Sequence, residues 1–129
     1  MVLIYGGAYQ GKLDFAKERY GLADADIICF TTDDDDADNF PPAHKCLYGL
    51  HLFILSLVRA GSDPLEKIIN KLPSLNGKII VTDDISCGVV PMGAENRAWR
   101  EAAGRCAAYL SQNADEVFRL FCGIPTRIK

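Results

Sequence analysis

Residues 2–13 read VLIYGGAYQGKL. A short apolar run, 2–5, breaks into glycines at Gly6, Gly7 and Gly11, Lys12 follows, and the next residues, 13–20, carry helical spacing. Strand, glycine loop, lysine and helix is the layout of a phosphate-binding loop. The spacing from Gly6 to Gly11-Lys12 fits the pattern G-x-x-x-x-G-K-[ST] up to its last position, where Leu13 replaces the hydroxyl residue. The run 2–5 is continuously apolar rather than alternating, as expected of a strand buried on both faces. The glycines allow positive φ, so successive N–H groups can face one anion, and the helix adds the positive end of its dipole.

The chain around this stretch has 129 residues, a size that supports one domain, 1–129, with a real core. Net charge is −3, without a basic tail or Lys/Arg run, which argues against a nucleic-acid partner. The five cysteines form no C-x-x-C pair, so reduced and mostly buried thiols in a cytoplasmic protein are expected. The longest apolar run, 46–58, contains His51 and is shorter than the roughly 20 residues that span a bilayer. The expectation is a soluble protein with no membrane span.

Further along, residues 26–30, DIICF, predict a second buried strand. Asp33, Asp34, Asp35 and Asp36 follow; four consecutive carboxylates repel, which predicts a solvated acidic loop, with a divalent-metal site as the weaker alternative. Residues 45–59, KCLYGLHLFILSLVR, place Leu47, Leu50, Ile54 and Val58 at helical period and predict a core helix. His51 on that helix reads as a hydrogen-bonded structural residue or, less simply, as a ligand or general base; His44 lies in a loop. Asp63 and Pro64 make an N-cap and first-turn pair for a helix over 64–71. Residues 78–82, KIIVT, predict a third buried strand ending in Asp83 and Asp84. Polar residues at the carboxyl end of a parallel strand stand where open α/β sheets bind ligands, so these carboxylates hold a metal ion or its waters, or else cap a turn.

A glycine-punctuated loop, 86–93, leads into an amphipathic helix over 95–112, with Trp99, Ala102, Ala103, Cys106, Tyr109 and Leu110 on one side. Arg97, Arg100 and Arg105 fall toward the other side, either as a phosphate clamp or as a solvated face paired with Glu95 and Glu101. A last strand is expected within 115–122, before a turn and a basic end. The alternation β-α-β-α-α-β-α-β predicts a three-layer α/β domain: a mostly parallel sheet of about four or five strands, with helices on both faces.

Two separated segments resemble a known family. Residues 6–16, GGAYQGKLDFA, are similar to the opening GGxRSGKSxxAE of the adenosylcobinamide kinase / adenosylcobinamide-phosphate guanylyltransferase family of cobalamin biosynthesis. Residues 81–129 resemble that family's second half, through Gly88, Pro91, Arg97, Arg100, Gly104, the run Ala114-Asp115-Glu116-Val117 and Gly123. The resemblance implies a P-loop α/β domain, usually assembled as a homo-oligomer. Such proteins use ATP or GTP to phosphorylate adenosylcobinamide and then transfer GMP through a guanylylated histidine. Carried over residue by residue, it implies nucleotide binding by Gly6, Gly7, Ala8, Gln10, Gly11, Lys12 and Leu13. It makes Lys12 and Asp84 the expected catalytic residues and Asp83 and Asp84 the expected Mg²⁺-facing carboxylates. Arg97 and Arg100 would meet substrate or phosphate.

The departures are specific. Leu13 stands where the family has the serine that ligates Mg²⁺, and Tyr9-Gln10 replace its Arg-Ser. Lys45 replaces an acidic residue, Ala107 replaces the helix asparagine, and the segment that carries the guanylylated histidine is much shorter. Neither His44 nor His51 matches that histidine's context. The reading is a nucleotide-binding, adenosylcobinamide-kinase-like protein with weakened phosphoryl transfer and no matched guanylyl carrier. The alternative is a non-catalytic relative that binds nucleotide or corrinoid, or serves as an interaction partner.

Overall fold

A computed structural model of the chain describes residues 1–33, 37–85 and 93–129. Among these residues six strands form one sheet: β1 (Val2–Gly6), β2 (Ile27–Cys29), β3 (Cys46–Tyr48), β4 (Ile79–Asp83), β5 (Glu116–Phe121) and β6 (Ile124–Arg127). Four α-helices connect them: α1 (Lys12–Tyr20), α2 (Leu50–Arg59), α3 (Pro64–Lys71) and α4 (Ala94–Asn113). The strand order is β2-β3-β4-β1-β5-β6, all parallel except the antiparallel β5–β6 pair. Of the predicted features, the acidic run beyond Asp33 and the loop 86–92 lie outside the described residues.

Alternation along each strand assigns the faces. Leu3, Leu47, Ile80 and Val117 point into one core with Leu50, Phe53 and Ile54 of α2, Ile68 of α3, and Ala103, Cys106 and Leu110 of α4. Their neighbours Ile4, Cys46, Ile79, Val81 and Phe118 point into the other core, which Ala16 of α1 closes. A period of two therefore feeds two cores from one set of strands, as a parallel sheet covered on both faces requires. Full burial of each such Leu or Ile contributes roughly 1.5–3 kcal/mol as an upper estimate. The helix after β1 and the helix after the neighbouring β4 lie on opposite faces, which opens a crevice at the carboxyl ends of these two strands.

The architecture is the expected three-layer α/β one, with six strands instead of four or five. Both additions have a physical cause. The helix expected over 45–59 starts at Leu50, and Cys46–Tyr48 is β3, paired with β2 and β4. Leu47 points into the same core as α2, so its spacing to Leu50 and Ile54 imitates a helical period. At the other end, 124–127 folds back on β5 through Cys122 and Gly123, at φ 51° and 75°, a turn whose twist suits a two-residue hairpin. Pro125 is tolerated because β6 is an edge strand.

The strand expected over 26–30 is also an edge strand, half-buried rather than buried, and Cys29 is exposed. The expectation of mostly buried thiols holds for Cys46 and Cys106 and fails for Cys29 and Cys122. Among the described residues no helix is long and apolar enough to cross a membrane.

Candidate functional site

The glycine loop begins where β1 runs out of room for side chains. A Cβ on Gly6 would lie 2.4 Å from the carbonyl oxygen of Leu120 in the neighbouring β5. The Gly6 carbonyl accepts the Asp84 N–H at 2.7 Å, tying the loop to the end of β4. Tyr9 and Gly11 then take left-handed backbone, at φ 57° and 81°, and turn the chain into α1. Lys12 is the first residue of that helix and is buried. Its ammonium donates to the Gly7 carbonyl at 2.5 Å and meets Asp83 Oδ1 at 2.7 Å.

Asp83 closes β4, the strand between β3 and β1, so the loop after β1 and the turn after β3 converge above it. Its backbone N–H donates to His51 Nδ1 at 3.2 Å, and its Oδ2 lies 3.6 Å from His51 Nε2. Because Nδ1 accepts, the proton of the neutral ring sits on Nε2, facing the carboxylate. Burial lowers the His51 pKa below 6.5, against the opposing pull of Asp83 and with the help of Lys12, so the ring is neutral near pH 7. Trp99 of α4 stacks on this ring at 6.4 Å between centroids and donates its indole N–H to the His51 carbonyl at 2.7 Å.

Lys12, His51 and Asp83 line a cavity of about 350 Å³. Of the nucleotide-binding residues expected, Ala8, Gln10, Gly11, Lys12 and Leu13 line it. Gly6 and Gly7 are not among its lining, although the Gly7 carbonyl accepts the Lys12 ammonium. Asp83 forms part of its wall, while Asp84, Arg97 and Arg100 are not among its lining. Arg97 is exposed on α4, and Arg100 is half-buried. Glu95 and Glu101 are paired instead with Arg59 at 3.1 Å and Arg105 at 2.7 Å, as a solvated face would have it.

Lys45 sits at the opposite end of the sheet from the cavity. It precedes β3 and pairs with Asp26 at 3.4 Å, whereas the cavity lies beyond Tyr48 at the carboxyl end. Four residues of extended chain, about 13 Å, separate Lys45 from Gly49. The lysine therefore takes no part in this cavity.

Tyr9, Asp14, Tyr48, Gly49, His51 and Leu52 complete the lining; none belongs to the expected nucleotide-binding set, although one sequence reading of His51 is a ligand or general base. The signal was present: residues 46–52 repeat the strand–glycine–helix order of 2–13. Gly49, at φ 84°, has its N–H on the Val81 carbonyl at 2.9 Å, as a loop leaving one parallel strand beside another should. Gln10 makes a contact that no spacing foretells. Its Oε1 accepts the Cys122 N–H at 2.5 Å, linking the loop to the β5–β6 hairpin.

The fit of Mg²⁺ can be judged from these residues. Leu13 offers no oxygen, Asp83 has one carboxylate oxygen on Lys12 and the other facing His51, Asp14 is a single exposed carboxylate at the rim, and Asp84 lies outside the lining. Among the described residues no group of three His, Cys, Asp or Glu stands close enough to hold a metal ion. The described residues of this cavity do not fit a Mg²⁺ site.

A parallel sheet with a glycine loop, a helix-head lysine and a carboxylate at the end of the adjacent strand is consistent with a P-loop-like α/β domain. The chain belongs to the cobinamide kinase / cobinamide phosphate guanyltransferase family, whose model matches residues 51–128, more than half of its length. The family places it in cobalamin biosynthesis. The match begins at His51 and takes in Asp83, Asp84, Arg97 and Arg100, while the glycine loop precedes it. A comparison with curated proteins finds no match.

Proposed function

We propose that the protein binds a nucleoside triphosphate, ATP or GTP, in the cavity over residues 8–14, as an adenosylcobinamide-kinase-like member of its family. The observation that carries this reading is the Lys12 ammonium. It is buried at the head of α1, held by the Gly7 carbonyl and Asp83, and forms part of the cavity wall. A phosphate entering the cavity meets this cation together with the positive end of the helix dipole. Adenosylcobinamide is the proposed acceptor, on the strength of the family alone.

Phosphoryl transfer is proposed to be weak, because Leu13 removes a metal-ligating hydroxyl and catalysis of this kind rests on metal and lysine together. Guanylyl transfer is not proposed. His51 is the histidine of the cavity, and both its ring nitrogens face Asp83 rather than offering a free nucleophile. A non-catalytic nucleotide-binding role is the second reading, favoured by the same Leu13.

Calorimetric titration with ATP and GTP tests the proposal. The wild type is expected to bind, and Lys12→Ala to bind roughly tenfold more weakly or worse, the loss of a charge-assisted contact. Absence of binding by the wild type up to millimolar nucleotide overturns it. Turnover of adenosylcobinamide by Leu13→Ser, where the wild type shows none, would decide for the non-catalytic reading.

A further inference from the structure

We infer that this loop takes the phosphates of its ligand free of magnesium, with Lys12 meeting them in place of a metal ion. The inference rests on the nucleotide-binding reading above and specifies the chemical form of the ligand.

Three observations carry it. Leu13 and Leu52 are both part of the cavity wall, and the side chain that directly follows Lys12 carries no oxygen. Mg²⁺ demands near-octahedral oxygen ligands and gives up its waters reluctantly; leucine side chains neither ligate it nor hydrogen-bond those waters. Second, of the two carboxylates in the described lining, Asp14 is exposed on α1 and Asp83 is already paired. Asp83 Oδ1 lies 2.7 Å from the Lys12 ammonium, so a divalent ion on that oxygen would sit against a like charge. Asp83 Oδ2 faces His51 Nε2 at 3.6 Å. Third, the cavity supplies an anion site of its own: a buried ammonium, a helix N-terminus, and a loop bent by left-handed Tyr9 and Gly11.

A chelated triphosphate brings a cation toward Lys12, and the side chain that follows Lys12 offers that cation no ligand. Chelation therefore adds nothing to the hold on the phosphates.

The test is calorimetric titration of the wild type with ATP in EDTA and in excess MgCl₂, repeated on Leu13→Ser. The wild type is expected to bind in EDTA at least as tightly as in magnesium, and Leu13→Ser to gain a preference for the magnesium complex. Tightening of wild-type binding by magnesium of more than about threefold overturns the inference and leaves nucleotide binding standing. A folded Leu13→Ser protein that gains no magnesium response overturns the role given to Leu13. Absence of wild-type binding in both buffers defeats the nucleotide reading itself, and the inference with it.

Discussion

The carboxylate of Asp83 stands 2.7 Å from the ammonium of Lys12, and the lysine side chain is only 2% exposed. A charge so deeply set needs its counter-ion, because removal of one partner strands the other away from water. Asp83→Leu is expected to lower stability by roughly 3 kcal/mol, and Lys12→Met to lower it as well. The double variant Lys12→Met/Asp83→Leu should lose clearly less than the two single losses combined. Urea unfolding of the four proteins measures both, and additive losses would show that the pair is not coupled.

Gly6 and Gly7 are neighbours with opposite tolerance. A methyl at Gly6 meets the Leu120 backbone oxygen at 2.4 Å, which cannot move without disturbing β5, whereas a methyl at Gly7 meets only the Gln10 side chain at 3.6 Å. Gly6→Ala should therefore cost roughly 1–3 kcal/mol, an overpacking penalty. Gly7→Ala should stay within about 0.5 kcal/mol. Equal thermal midpoints for the two variants would contradict this assignment.

His51 links stability to pH. Burial holds its folded pKa below 6.5, so between those two values the unfolded chain binds the proton and the folded one does not. The contribution of this group is fully present above pH 6.5 and declines as pH falls through the folded pKa. The urea midpoint of the wild type should fall between pH 7.5 and 5.5. In His51→Gln, whose side-chain oxygen can still accept the Asp83 N–H, the fall should be smaller. Parallel curves would assign the titration to another group.

The thiols divide by location. Burial raises Cys46 to about 11 and Cys106 to about 12, and both are fully enclosed. Cys29 and Cys122 are exposed. Iodoacetamide at pH 8 should alkylate the exposed pair in the native protein and reach Cys46 and Cys106 only after denaturation, as thiolate character and access dictate. Peptide mapping reads the outcome, and native labelling of Cys106 would contradict the packing of α4.

Much of the fold was legible because its decisive segments are local. Val2–Gly6, Pro64–Lys71 and Ile79–Asp83 are elements whose apolar runs and caps lie within the segment itself; Asp63 accepts the N–H groups of Leu65 and Glu66 as its position before Pro64 implies. The family was legible from residues 81–129, most of which fall inside the matched region. β3 was not legible, because Leu47 shares a core with α2 and three apolar residues do not distinguish strand from helix. His51 does lie on the buried face of α2, as its spacing implies, but its place beside Asp83 depends on the pairing of β3 with β4, which no local pattern encodes. Lys12–Asp83 pairs residues 71 positions apart in sequence, and no spacing rule joins a loop lysine to the end of another strand.

The hydrogen bond from the Cys122 N–H to Gln10 Oε1 makes the edge hairpin a gauge of the loop. A ligand that draws the loop onto its phosphates pulls on a peptide at the sheet margin. An environment-sensitive dye on the exposed Cys122 thiol would therefore register occupancy of the cavity from outside it.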